Sequence, residues 1–440
     1  MNRSTPDMIN TQQPERLMVL LIFSLIFFIG TDVIQTVLGP GGIGGPLRLL
    51  LLLPTFGIVF LNYRYLIKAV VAAPELTLLL MLAMVSVSWT ETPVNTIRKL
   101  LPLLATTLLA MTLAATMSLK ALFRNFALLG VFTALASLIA IALFADARGA
   151  EPWPNTWRGV FNHKNGLGAI SAVSLLAIAP VIATTSGRQR RMFAVGGLFL
   201  FAMLIMSESR TSQIIAVISL SAFYLATLLR GYIRLWAAAY IGLFVLLIFA
   251  IYVLFASGTW DDLLGSLGRK PTLSGRIPIW SVVWPSVIEN IWFGYGFDGF
   301  WNAGSRRVTE IARDKSVGFL PYYSHNGLIE LLLDVGIFGV PLFLLHLVRS
   351  IRGSLTTTAH HSARLLGAGA LVLILAFIMF NITESSILSG SSMNWMTFVA
   401  FTTKVSILLR TSKLQPKPSR VINQSRLPHG VFDQKRHRLP

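Results

Sequence analysis

The chain of 440 residues contains no cysteine. That excludes disulfides and thiolate metal sites, although it does not by itself fix a compartment. Charge is scarce as well: Asp, Glu, Lys and Arg make up 12% of the residues against 54% hydrophobic ones, and the mean hydropathy is +0.68. So little charge cannot cover a soluble globule, and the composition is that of a polytopic membrane protein. Acid is the scarcer sign, with 18 Asp and Glu against 37 Lys and Arg and a net charge of +19. In a soluble chain this excess would suggest nucleic acid, but here the basic residues sit in short loops between apolar runs. Neither a Gly-x-x-x-x-Gly-Lys loop nor a dinucleotide fingerprint is present, so nothing points to a soluble nucleotide. No metal or other cofactor is expected, because no carboxylate lies at a recognisable ligand spacing from His163 or His325, the histidines assigned below to the outer face.

Apolar runs recur at about 17–38, 48–62, 72–89, 100–117, 125–144, 165–184, 192–206, 212–229, 235–256, 326–347, 363–381 and 391–409, each near the length a bilayer core demands. The fold expected is all-α, with about twelve transmembrane helices. The first 16 residues are polar, and the run after them is too long for a signal-peptide core and has no evident cleavage site, so it reads as a retained helix. The basic loops Arg64–Lys68, Leu119–Arg124, Gly187–Arg191, Arg230–Arg234 and Arg349–Gly353 fall on one side, which the positive-inside rule makes cytoplasmic. Residues 1–16 and the basic, Pro- and Ser-containing tail 410–440 are then both cytoplasmic, flanking a membrane domain over 17–409. One outer loop is large, about 257–325. Within it Arg276–Asn290 has the spacing of an amphipathic surface helix that Ser274 would cap, and Phe293–Trp301 (FGYGFDGFW) reads as a tight aromatic turn, together forming a small cap over the helix ends.

Four polar clusters stand at the outer boundary: WRGVFNHKNGLG (Trp157–Gly168), SESRTSQ (Ser207–Gln213), SGRIPIW (Ser274–Trp280) and YSHNGLIELLLDVG (Tyr323–Gly336). Polar and basic groups at a membrane boundary are costly unless used, so the four suggest one assembled anionic site. Arg158, Lys164, Arg210 and Arg276 bring guanidinium forks and an ammonium suited to phosphate. His325 is a candidate general base, with Asn326 and Glu330 placed to orient it or to bind a hydroxyl. Plainer roles remain open beside these: interfacial anchoring for His163 and Lys164, capping for Arg276, pairing with Glu208 for Arg210, packing for His325 and an ion pair for Glu330.

Taken in order, RGVFNHKNGLG, SESRTSQ, GRIPIW followed by FGYGF, and HNGLIELLLDVGIFG resemble the O-antigen ligase and polysaccharide polymerase superfamily over roughly residues 150–350. The resemblance implies a metal-independent glycosyltransferase of the bacterial inner membrane, working at the periplasmic face on a polyprenyl-diphosphate-linked glycan. It implies that Arg210 and Arg276 contact the donor diphosphate, that His325 assists the acceptor, and that Arg158 with His163, Lys164 and Asn165 completes the pocket. Membrane lipids, a glycan acceptor and other polysaccharide assembly and export proteins are the implied partners, with no nucleic acid. The form FNHKNGLG looks most like the branch that polymerises exopolysaccharide repeats. Attack opposite a departing diphosphate would invert the anomeric centre. A ligase or protein O-oligosaccharyltransferase would use the same donor side, whereas a transporter should gather its polar groups nearer the bilayer midplane.

Overall fold

The computed structural model describes residues 25–34, 44–149, 156–256, 276–301, 306–313, 317 and 321–414. Every secondary-structure element named among them is a helix. Residues 25–30 are helical, and from residue 44 onward the α-helices are, in chain order, α1 (Gly44–Leu50), α2 (Leu52–Leu61), α3 (Tyr63–Ala72), α4 (Pro74–Val85), α5 (Pro93–Thr116), α6 (Leu119–Leu143), α7 (Lys164–Thr184) and α8 (Gly187–Met206). They continue as α9 (Arg210–Leu228), α10 (Ile233–Ala256), α11 (Arg276–Glu289), α12 (Arg306–Arg313), α13 (Gly327–Val335), α14 (Gly339–Ala359), α15 (Arg364–Thr383) and α16 (Met393–Leu414).

Seven helices among the described residues are long and apolar enough to cross a bilayer: α5 to α10 and α15. They account for seven of the twelve expected spans. The run at 48–62 belongs to a pair, α2 and α3, bent by 84° at Asn62, and the run at 72–89 forms the shorter α4. The run at 326–347 is not one helix. It breaks at Gly336, whose φ of +68 and approach to the Trp292 backbone leave no room for a Cβ, so nine-residue α13 ends there and α14 starts afresh. The last helix continues to Leu414, beyond the expected boundary at 409. The tail 1–16, Ser274 and the loop residues 257–275 lie outside the described residues.

Helices α7 and α15 form the buried centre, with 78% and 83% of their most apolar windows covered by the rest of the protein. By contrast α8 and α10 are peripheral, 22% covered, and turn apolar side chains such as Leu198, Leu243 and Phe249 outward, as lipid-facing helices do. Beside the centre Phe377 of α15 stacks on Phe398 of α16 at 4.1 Å, and the fully buried Trp395 donates its indole N–H to Thr107 of α5 at 2.9 Å. Burying the ring with its donor satisfied ties three helices together.

A second, smaller apolar cluster joins Ile279, Val283 and Val287 of α11, Tyr295, Phe300, Val308 and Ile311 of the following segment, and Leu333 of α13. It forms a small cap seated on the α13–α14 break by backbone hydrogen bonds Tyr295 N to Leu333 O and Ile337 N to Ile291 O, both 2.7 Å. Gly294, with φ +65, makes the turn beneath it and leaves no space for a side chain against Leu333 O. The helix directions bring the start of α7, the α8–α9 turn, the start of α11, the start of α13 and the α15–α16 connection to the same end of the bundle.

Candidate functional site

Glu384 is the centre of that end. It follows α15 and is 17% exposed, and its Oε1 accepts from Arg276 Nη2 at 2.7 Å and from Asn165 Nδ2 at 2.8 Å. Its Oε2 faces His325 Nδ1 at 3.7 Å. Three of the four sequence clusters thus meet on one carboxylate. Burial alone would push the Glu384 carboxyl up, but the neighbouring His325 ring and the Arg276 charge outweigh it and hold the carboxyl below the ordinary glutamate value.

Local geometry explains how each partner arrives. His163 is the N-cap of α7, its Nδ1 accepting from the Asn165 N–H at 3.2 Å, and this directs Asn165 toward Glu384 from the first helical turn. Burial holds the His163 imidazole below its usual value, so it stays neutral near pH 7 even beside Glu384. Arg276 is the first residue of α11 and only 12% exposed. His325 sits at φ +54, a left-handed conformation that costs a non-glycine residue of the order of 1–3 kcal/mol and needs a rigid frame. The frame is present: Trp280 Nε1 donates to Ser324 O at 2.8 Å, the Ser324 hydroxyl donates to Glu330 at 2.6 Å, and Asn326 caps α13 by accepting from Leu328 N and Ile329 N. The Tyr323 ring packs on the imidazole at 4.2 Å. Gly327 lies so close to Asn381 of α15 that any side chain would collide with its amide, which seats α13 directly over the end of α15.

A cavity of about 450 Å³ opens beside Glu384. His163, Asn165, Glu330 and Glu384 line it, whereas Arg276 and His325 touch Glu384 without forming the wall. Asp298, Asp334 and Lys99 also line it. Asp334 accepts from the Asp298 N–H at 2.8 Å and Lys99 pairs with Asp298 at 3.0 Å. Burial pushes the Glu330 carboxyl up to about 7, and burial with Glu330 nearby raises Asp334 as well. Glu384 thus sits among Arg276, Asn165 and the His163 and His325 imidazoles, whereas Asp298 and Asp334 are grouped with Lys99.

The remaining candidates are placed differently. Arg210 opens α9 after the tight turn Ser207–Ser209, is exposed, and donates to Gln213 Oε1 at 3.4 Å. Lys164, at the start of α7, feels both Glu208 and Arg210, so the second cluster lies beside the first without touching Glu384. Arg158 donates to the carbonyls of Asp146, Phe161 and Asn162, fastening its own loop. Sequence reasoning did not single out Glu384, Asp298 or Tyr323. For Glu384 a signal existed: it is an acid directly after a 20-residue apolar helix.

Comparison with known proteins finds two similarities. The O-antigen ligase family model matches residues 195–344, which hold Arg210, Arg276, His325 and Glu330. The exopolysaccharide production protein ExoQ of Rhizobium meliloti (strain 1021) is 25% identical over 317 residues, covering 68% of this chain and 70% of that protein. Over residues 195–344 the chain is thus similar to the O-antigen ligase family, whose members are glycosyl-transferring enzymes.

Proposed function

We propose that this protein is an inner-membrane polymerase that transfers a glycan from a polyprenyl diphosphate carrier onto a lipid-linked repeat unit during exopolysaccharide synthesis, at the periplasmic end of the bundle. The observation that carries the reading is the convergence of Asn165, Arg276 and His325 on Glu384 at the cavity edge, with His163 in the wall and Lys164 and Arg210 alongside. A diphosphate on lipid is already an activated leaving group. The enzyme has to neutralise charge developing on that group and to place a hydroxyl at the anomeric carbon. Arg276 and Arg210 serve the first need, their forks matched to phosphate oxygens, with Lys164 adding a point charge. His325 serves the second: it takes the acceptor hydroxyl proton as the new glycosidic bond forms, the bond from the anomeric carbon to the diphosphate oxygen breaks, and polyprenyl diphosphate departs. Attack from the opposite face inverts the anomeric centre, and no step in this scheme calls on a metal.

The similarity to an exopolysaccharide production protein supports the polymerase reading. The O-antigen ligase match supports a second, in which the same donor side passes finished glycan to a lipid A core or a protein hydroxyl. The glycan of a deletion strain separates them. Loss of high-molecular-weight exopolysaccharide is the result expected; intact polymer with an unmodified lipid A core would establish the ligase instead, and unchanged glycans of both kinds would overturn the proposal.

A further inference from the structure

We propose that Glu384 is a positioning residue that couples donor binding to acceptor activation, by exchanging Arg276 for His325 as its partner when a diphosphate enters the cavity. The inference rests on the function proposed above and deepens it. Glu384 itself lies outside the residues matched by the family model.

The geometry is that of a carboxylate shared between two roles. Oε1 is engaged by Arg276 and Asn165, which arrive on separate helices, while Oε2 points at a ring nitrogen that is not yet bonded. His325 Nδ1 is buried and makes no hydrogen bond, and the 3.7 Å gap to Oε2 is about 1 Å longer than a charge-assisted bond. A buried, unbonded nitrogen beside a carboxylate is an incomplete interaction, and a small rotation of Glu384 completes it. The other groups facing this pair are His163 at the start of α7, Tyr323 on the imidazole face, and Glu330 on the opposite side of Ser324.

Glu384 also stands between the cavity and the two groups it holds. Glu384 lines the cavity, and Arg276 and His325 do not. A diphosphate in the cavity reaches the Arg276 guanidinium by competing with Glu384 for it, since both are anions seeking the same donors. The released carboxylate then accepts from His325 Nδ1–H, fixes the tautomer with Nε2 free to take a proton, and stabilises the imidazolium that forms. A carboxylate behind a catalytic histidine acts in this way in hydrolytic triads. Donor binding and acceptor activation become one event, so His325 gains its full support only when a leaving group is in place.

Glu384→Gln separates these two effects. The amide keeps the shape and can accept from Arg276 and Asn165, but lacks the charge that competes with a diphosphate and supports an imidazolium. With purified protein in detergent and a lipid-linked oligosaccharide as donor, kcat should fall by about 10²-fold or more. The donor KM should fall by a few-fold, because Arg276 is no longer contested. Glu384→Asp, which keeps the charge one methylene shorter, should restore much of kcat and return KM toward wild type. A purely structural role would lower the yield of folded protein without lowering KM, so kcat is normalised to the monodisperse fraction. Wild-type kcat in Glu384→Gln, or a kcat loss accompanied by a raised donor KM, would overturn the proposal. Should Glu384→Gln fail to fold, Glu384→Asp decides: kcat well above that of His325→Ala with a wild-type KM supports the role, and kcat as low as His325→Ala overturns it. Arg210→Ala and Arg276→Ala measured in parallel keep the two levels apart. If both retain wild-type turnover, the diphosphate reading itself fails; if they lose it while Glu384→Gln does not, only the coupling role fails.

Discussion

Arg276 and Arg210 carry the same guanidinium to the same end of the bundle, each as the first residue of a helix, yet their circumstances are opposite. Arg276 is 12% exposed and bound to Glu384 at 2.7 Å, whereas Arg210 is exposed and reaches only the neutral Gln213 at 3.4 Å. One guanidinium is committed before any ligand arrives and the other is available. Under the proposed function, such a pair would attract an anion at the rim through Arg210 and pass it inward to Arg276, beside His325 and the same carboxylate. Proton transfer should therefore depend on the buried group and capture on the exposed one.

His325→Ala tests that division most severely. It should lower kcat by about 10²- to 10⁴-fold, the range for loss of a general base, while donor binding persists. An unchanged rate would remove the base from the scheme and leave the buried region with a structural role only.

The two arginines should also part company in stability. Arg276→Ala leaves Glu384 as a buried, uncompensated charge, a change that typically costs about 3–5 kcal/mol. Arg210→Ala, at an exposed position with one weak contact, should stay within about 0.5 kcal/mol of wild type. Both should nevertheless abolish product formation, and Lys at either position should rescue poorly because the planar fork is lost. Thermal unfolding in detergent together with a transfer assay reads both halves. Equal destabilisation by the two alanines would erase the distinction between a held and an available arginine.

A smaller effect concerns Glu330, buried beside Ser324. In the folded protein Glu330 holds its proton up to about pH 7, whereas in the unfolded chain it gives it up near its ordinary value of 4.5. Between those values the folded state binds more protons, so stability falls as pH rises through the interval. Melting temperature should decline from pH 5 to pH 8 by more in wild type than in Glu330→Gln. A decline of equal size in both would mean that another group sets the pH dependence.

The parts of this arrangement that were readable in sequence are those encoded by local contrast. Ser207–Ser209 interrupt an apolar stretch with polar residues, and the turn falls there; Arg276–Asn290 alternates at helical spacing, and α11 follows it. The break at Gly336 was hidden because apolar residues on both sides read as one span, while the cause is a backbone conformation and the approach of Trp292 from the cap. The bend at Asn62 was hidden in the same way. His325 was visible as a lone histidine at a boundary, but its left-handed backbone was not. Glu384 was legible only as an acid after a helix. Its meaning comes from Asn165, Arg276 and His325, which are far from it in sequence and meet it only through the packing of α7, α11 and α13 against the end of α15.

The central claim is that these cations and His325 share one extracytoplasmic face, and the absence of native cysteine makes it directly testable. Single-cysteine variants Arg210→Cys and His325→Cys, with Arg188→Cys at the opposite end, can be challenged in intact spheroplasts with a membrane-impermeant thiol reagent. Positions 210 and 325 should label from outside, and position 188 only after the membrane is opened. Labelling of 210 and 325 from opposite sides would contradict it.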